Sequence, residues 1–166
     1  KIGPVVAFTE EDWDLIIDVN VKGTFLCTKA VIPHMVQRGS GRIVNLSSIA
    51  GKRGRPFASA YCTSKWAVIG FTQSMAYELA PANINVNAIC PGFFPSKMSQ
   101  GILDHIAPAV VARTPLGRLG GDEDLKGAVV FLASEASRHV TGQCLVVDGR
   151  AIVTCRRALA SPAGAP

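Results

Sequence analysis

With 166 residues, 48% of them hydrophobic and 17% charged, the chain carries enough apolar mass for one packed domain and too much for a disordered one. Three of the charges behind a net +5 fall on Arg150, Arg156 and Arg157, and no basic face with interleaved aromatics marks a nucleic-acid binder; no apolar run approaches the ~18 residues of a membrane span, and there is no signal-peptide pattern. The five cysteines are scattered, odd in number and without C-x-x-C spacing, which reads as reduced thiols of a cytoplasmic protein rather than disulfides or a zinc site, and His34, His105 and His139 make no metal-ligand pattern.

Residues 1–8 are an irregular lead-in. Thr9 followed by Glu10, Glu11 and Asp12 has the form of a capping box, with acids at the positive end of a helix. Trp13, Ile16, Ile17, Asn20, Thr24, Cys27 and Val31 then recur at helical spacing, which predicts one long amphipathic helix to about Val36. Asn20 is a polar amide on that apolar stripe; it is either satisfied by a partner in the core or the mark of a local kink. Gly39-Ser40-Gly41 is a turn, and Arg42 to Ser47 is a buried strand around the run Ile43-Val44-Asn45-Leu46. Gly51 to Arg55 is a glycine-rich basic loop bearing Lys52, Arg53 and Arg55; by default it is solvated, and a role in attracting an anionic substrate (a sugar acid, a phosphate or an acyl carrier) stands beside that reading.

The stretch from Ser48 to Lys65 holds the chemistry. Tyr61 and Lys65 are four residues apart and share one face of a helix, while Ser48 lies just past the strand. A strand end and a helix start thus bring a hydroxyl, a phenol and an ammonium together. A free phenol titrates near ~10, too high for ready proton exchange at neutral pH, and a nearby ammonium favours the phenolate. A phenol so tuned can give a proton to a carbonyl oxygen or take one from an alcohol. A serine hydroxyl can hold the same oxygen.

A helix follows from about Ser59 to Leu79, stopped by Pro81. Trp66, Ala67, Val68, Ile69, Phe71, Met75 and Ala76 make it apolar around much of its surface, so it needs a second partner. Ile84 to Ile89 is a strand, opening onto the turn Cys90-Pro91-Gly92-Phe93-Phe94-Pro95-Ser96. Asp122-Glu123-Asp124 starts a helix containing Ala128, Val129, Phe131 and Leu132, and Cys144 to Val147 is a third strand ending at Asp148-Gly149. Strands alternating with helices predict an α/β fold with a parallel sheet and right-handed crossovers.

In Ser48, then Tyr61 thirteen residues on, then Y-x-x-x-K to Lys65, the chain resembles the short-chain dehydrogenases/reductases, a family of Rossmann-like parallel sheets with flanking helices. The likeness runs from about Phe8 to Gly149 and covers members of the sugar-acid and polyol dehydrogenase kind and the 3-oxoacyl-acyl-carrier-protein reductases. It implies NAD or NADP as cofactor and a small-molecule alcohol or ketone as substrate. Tyr61 is then the general acid/base, Lys65 its partner and a ribose ligand, and Ser48 the substrate-oxygen anchor. Asn20 and Gly23 match the family's N-x-x-G, whose Asn supports a water linking the lysine to solvent. Pro91, Gly92, Phe94 and Ser96 match P-G-x-x-x-T, which approaches the nicotinamide, Ser96 replacing the usual Thr. Lys97 to Arg113 corresponds to the substrate lid, and Pro115-Leu116-Gly117-Arg118 to the family's P-x-G-R. The helices before and after Ser48 imply a homo-oligomer, a dimer or tetramer when complete.

Two features depart from the family. No glycine-rich turn follows a first strand, and N-N-A-G is missing, so residues 1–149 look like the C-terminal part of a member without its N-terminal strands; weak cofactor binding by this polypeptide alone and an unpaired sheet edge are expected. At the other end Arg150 stands where the family continues D-G-G, and the Ala/Pro/Arg bias of residues 150–166 predicts a disordered tail. The first functional reading is an oxidoreductase interconverting a secondary alcohol and a ketone; a 3-oxoacyl-acyl-carrier-protein reductase and a non-catalytic truncated paralogue serving as an oligomerisation module are the alternatives.

Overall fold

The computed structural model describes residues 2–97 and 99–153. Thr9 caps the first helix, α1 (Glu10–Ile17): its hydroxyl accepts from the Asp12 amide at 3.2 Å, and the Asp12 carboxylate reaches back to the Thr9 amide. The helix does not run unbroken to Val36. Residues Asp18–Lys22 form a π-helical turn, and only then does α2 (Gly23–Arg38) resume. Gly39 ends α2 in the left-handed conformation (φ 68°), where a glycine carries no steric cost.

Strand β1 (Gly41–Leu46) follows, then a single 3-10 turn over Ile49–Gly51, and then α3 (Ser59–Leu79), the bounds expected from its apolar surface and Pro81. β2 (Ile84–Pro91) extends two residues past the predicted end at Ile89, into the Pro91-Gly92 turn. Helix α4 (Gln100–Arg113) occupies the expected lid segment, α5 (Asp122–Ala133) the acidic-start helix, and β3 (Cys144–Val147) closes the sheet. A last 3-10 turn, Ala151–Val153, is held by Asp148, whose carboxylate accepts from the Arg150 and Ile152 amides at 2.7 Å each. Residues 154–166 of the expected tail lie outside the described residues.

The three strands are parallel in the order β1-β2-β3, with Ile43 opposite Val86 and Ile89 opposite Leu145. Among the described residues β1 pairs only with β2. Alternation in a strand sends Ile43, Ile84 and Val86 to one face, where Ala76 and Leu79 of α3 and Ile32 and Met35 of α2 cover them. Arg42 points the other way, and its guanidinium donates to Ser134 O at 2.8 Å, at the end of α5. Helices α3 and α5 therefore lie on opposite faces. Because β1 to β2 and β2 to β3 step in the same direction, the two crossovers have opposite hands, and the expectation of uniform right-handedness fails. The long segment between β2 and α5, with α4 inside it, frees α5 from the direct feed of strand into helix on which that rule depends.

Candidate active site

The carboxyl end of β1 is stitched to α3 by two hydrogen bonds. Ser47 Oγ donates to Lys65 O at 2.8 Å, and Lys65 Nζ donates to Leu46 O at 3.0 Å. Gly51 packs under this junction: a Cβ there would stand 2.6 Å from Lys65 O and 2.7 Å from Ser47 Oγ. Ser48 is extended and caps the 3-10 turn, its Oγ accepting from the Ala50 amide at 3.1 Å. Tyr61, one turn into α3, packs half-buried on the cluster of Ala50, Ala58 and Cys62. Ser48 thus starts the turn whose Ala50 supports the Tyr61 ring.

Lys65 lies on the same helix face as Tyr61, with Nζ 5.7 Å from the ring centre. The lysine is 9% exposed, and burial holds its ammonium below the ordinary lysine range, with Cys90 acting in the opposite direction. Its bond to Leu46 engages one of three N–H groups, so the donor set has capacity for hydroxyls of a bound sugar.

Asn20 reaches this site through the π turn. Its Nδ2 donates to Ser64 Oγ at 3.0 Å, and Ser64 Oγ donates to the Tyr61 carbonyl at 2.8 Å. Thr24 Oγ1 bonds the Asn20 carbonyl at 2.7 Å. The polar residue on the apolar stripe is therefore both satisfied and the site of the local irregularity, and such single π turns are frequent at functional sites.

At the end of β2, the Gly92 amide donates to Val147 O at 2.9 Å; a Cβ on Gly92 would come within 2.7 Å of the Asp148 Cβ. Phe94 packs its ring on Gly120, where a Cβ would meet ring atoms at 2.2–2.6 Å, and its carbonyl accepts from Ser99 Oγ at 2.7 Å. Ser96 Oγ lies 2.9 Å from Ser99 Oγ and accepts from the Ser99 amide at 3.1 Å. The hydroxyl expected to face a cofactor is thus engaged in the turn that leads into α4. A cavity of about 110 Å³ lies beside these residues, lined by Phe93, Phe94, Thr114 and Asp148 among others; Ser48, Tyr61 and Lys65 do not line it.

Sequence reasoning missed Ser47, Ser64 and Cys90. Ser47 and Ser64 sit one position before Ser48 and Lys65, and only the fold shows that they bond Lys65 and Asn20. Cys90 sits behind Lys65 because β2 runs under α3, which a lone thiol in a strand does not announce.

Residues 1–149 match the family model described as enoyl-(acyl carrier protein) reductase. The chain is 42% identical over 149 residues to the 3-oxoacyl-[acyl-carrier-protein] reductase FabG of Thermotoga maritima, covering 90% of this chain and 61% of that protein. It is likewise 42% identical over 144 residues to that of Rickettsia felis, covering 87% and 60%. Among solved structures, a gluconate 5-dehydrogenase from Burkholderia cenocepacia in complex with NADP and tartrate superposes with a TM-score of 0.89 at 37% identity, covering 91% of this chain and 60% of that one. The chain thus spans about three fifths of the length of these relatives.

Proposed function

The chain belongs to the short-chain dehydrogenase/reductase family, and we propose that the protein is an NAD- or NADP-dependent oxidoreductase that interconverts a secondary alcohol and a ketone. The observation that carries this reading is the buried Lys65 ammonium 5.7 Å from the Tyr61 ring, beside the strand end that presents Ser48. A nicotinamide dinucleotide supplies or accepts the hydride when bound. Tyr61 gives its phenolic proton to the carbonyl oxygen in reduction and withdraws it from the alcohol in oxidation. Lys65 stabilises the phenolate left behind, and burial strengthens that effect by removing screening water. Its free N–H groups bind ribose hydroxyls. Ser48 seats the substrate oxygen. Asn20 supports proton supply from the side of Ser64. Pro91, Gly92, the Phe94 main chain and Ser96 bound the nicotinamide; for Ser96 this role requires release from Ser99.

The substrate is a sugar acid or polyol in the first reading, in keeping with the gluconate 5-dehydrogenase and its hydroxy-acid ligand tartrate. A 3-oxoacyl-acyl-carrier-protein substrate is the second, favoured by the 42% identity to enzymes of that name. Phe25 on α2 and Trp66 and Tyr77 on α3 stand exposed on the two helices expected to face a sister subunit, and the protein assembles through them as a dimer or tetramer. Its four described cysteines are free thiols, in keeping with the cytoplasm, and no helix among the described residues is long and apolar enough to cross a membrane.

The test is oxidation of NADH and NADPH by the full-length protein against a panel of keto acids, ketoses and 3-oxoacyl thioesters, read at 340 nm. Turnover that depends on Tyr61 is expected; cofactor binding without turnover of any ketone or alcohol would overturn the reading.

A further inference from the structure

The loop between Ser48 and Tyr61 carries a cation that the mechanism above does not use. The Arg55 guanidinium carbon lies 4.4 Å from the centre of the Phe93 ring. Phe93 follows directly on Pro91-Gly92, so this contact bridges the ends of β1 and β2, where open α/β sheets bind their ligands. A guanidinium over an aromatic face spends none of its N–H donors on that contact, and its planar fork can receive a carboxylate in two parallel hydrogen bonds.

Three further observations mark this arginine. It forms no ion pair among the described residues, whereas the half-buried Arg42 pairs with Glu135 at 3.0 Å. Burial holds its guanidinium below the ordinary arginine range, while Cys62 and Tyr61 lie near enough to act on its charge in the opposite direction. An exposed guanidinium with no carboxylate beside it is open to an incoming anion. The loop that presents it is also tied back to the start of the chain. Phe57, two residues on, has φ 63°, a left-handed conformation rare for a bulky side chain, and its carbonyl is held by the Gly3 amide at 2.8 Å. Arg55 itself stays open to solvent on its outer side.

We propose that Arg55 is the specificity-determining residue of this site, binding a carboxylate carried by the reacting alcohol or ketone, so that the substrate class is a small hydroxy or keto acid and not an acyl thioester. The inference rests on the oxidoreductase reading. Phe93 backs the guanidinium, Tyr61 handles the proton at the reacting oxygen, and the carboxylate fixes the distance between the two ends of the substrate. Lys52 and Arg53 in the same loop add long-range attraction without that orientation.

The experiment uses the full-length protein and matched substrate pairs: keto or hydroxy acids and their primary amides, with 3-oxoacyl thioesters as a third class. Wild type should favour each acid over its amide. Arg55→Gln should lower kcat/KM for the acids about 10- to 100-fold, the usual worth of a hydrogen bond to a charged group, and leave the amides nearly unchanged. Arg55→Lys should recover only part of the loss, since an ammonium lacks the planar fork. Lys52→Gln, as a control for general attraction, should give a small loss that high salt abolishes. Thermal melts of the variants verify folding. Equal use of acid and amide by wild type, an Arg55→Gln loss that is the same for both, or a preference for 3-oxoacyl thioesters untouched by Arg55→Gln would overturn the anchor and leave the oxidoreductase standing. Failure of wild type to turn over any of the three classes would overturn both.

Discussion

Asn20 and Ser64 are 44 residues apart in the chain and 3.0 Å apart in space. The Asn20 amide donates to the Ser64 hydroxyl, which in turn donates to the Tyr61 carbonyl. The π turn that holds Asn20 is therefore tied to the helix that holds the proposed catalytic phenol. Ser64 is fully buried. Ser64→Ala deletes the acceptor for Asn20 and the donor to Tyr61 at once. An unsatisfied buried polar group costs about 1–3 kcal/mol, and a loss of stability in that range is expected by denaturant unfolding. Asn20→Ala at the same time should cost less than the sum of the two single changes, because the orphaned amide is then gone. Strict additivity would show that the two side chains do not act as a pair.

Tyr61 separates chemistry from folding cleanly. Its ring packs on Ala50, Ala58 and Cys62, and Tyr61→Phe keeps that packing while deleting the hydroxyl. Positioned proton transfer contributes typically 10²- to 10⁴-fold to rate, so kcat in the full-length protein should fall by roughly that factor with the melting temperature almost unchanged. Normal turnover by a folded Tyr61→Phe variant would remove the phenol from the mechanism.

Gly51 fixes the junction of β1 and α3. A methyl group there would sit 2.6 Å from the Lys65 carbonyl and 2.7 Å from Ser47 Oγ, and the first of these is backbone within α3. Neither can yield without moving the segment that places Lys65. Gly51→Ala should destabilise by about 1–3 kcal/mol, as overpacking does, and lower activity more than an equally destabilising change far from the site. A variant as stable and active as wild type would show that the junction is looser than its contacts imply.

How much of this was legible in the sequence depends on what each feature is made of. Helix α3 matched its expected bounds because its ends are written in residue types: an apolar surface that begins after the Gly/Pro loop and a proline at 81. The pairing of Tyr61 with Lys65 was legible for the same reason, since four residues of helix put both on one face. The π turn at 18–22 was not, because Asp-Val-Asn-Val-Lys is compatible with α or π bonding and only the demand of Asn20 for a partner 44 residues away hints at the choice. The hand of the second crossover was invisible too, being set by where α5 docks on the strands. Ser96 shows a third kind of limit: the match to P-G-x-x-x-T located the hydroxyl, but its bonds to Ser99 belong to a local turn that any Ser-x-x-Ser can close.

The start of α5 offers a stability test independent of catalysis. Arg118 donates two hydrogen bonds to the Asp124 carboxylate, at 2.6 and 2.8 Å, and the Gly121 amide donates a third at 2.7 Å. The Arg118 bonds first, and the Gly121 bond second, hold the Asp124 carboxyl well below the usual carboxylate range. A folded-state value below the unfolded one means that the pair stabilises the fold fully above the unfolded carboxyl value, near ~3.9, and loses that contribution as pH falls through the lower folded value. Asp124→Asn should therefore lower the melting temperature at pH 7, and the gap to wild type should shrink steadily below about pH 4. Because the pair is open to solvent, raising the ionic strength at pH 7 should narrow the gap as well, by screening the charges. A gap that is the same at pH 7 and pH 3 would mean that the fold responds to the shape of the side chain at 124 and not to its charge.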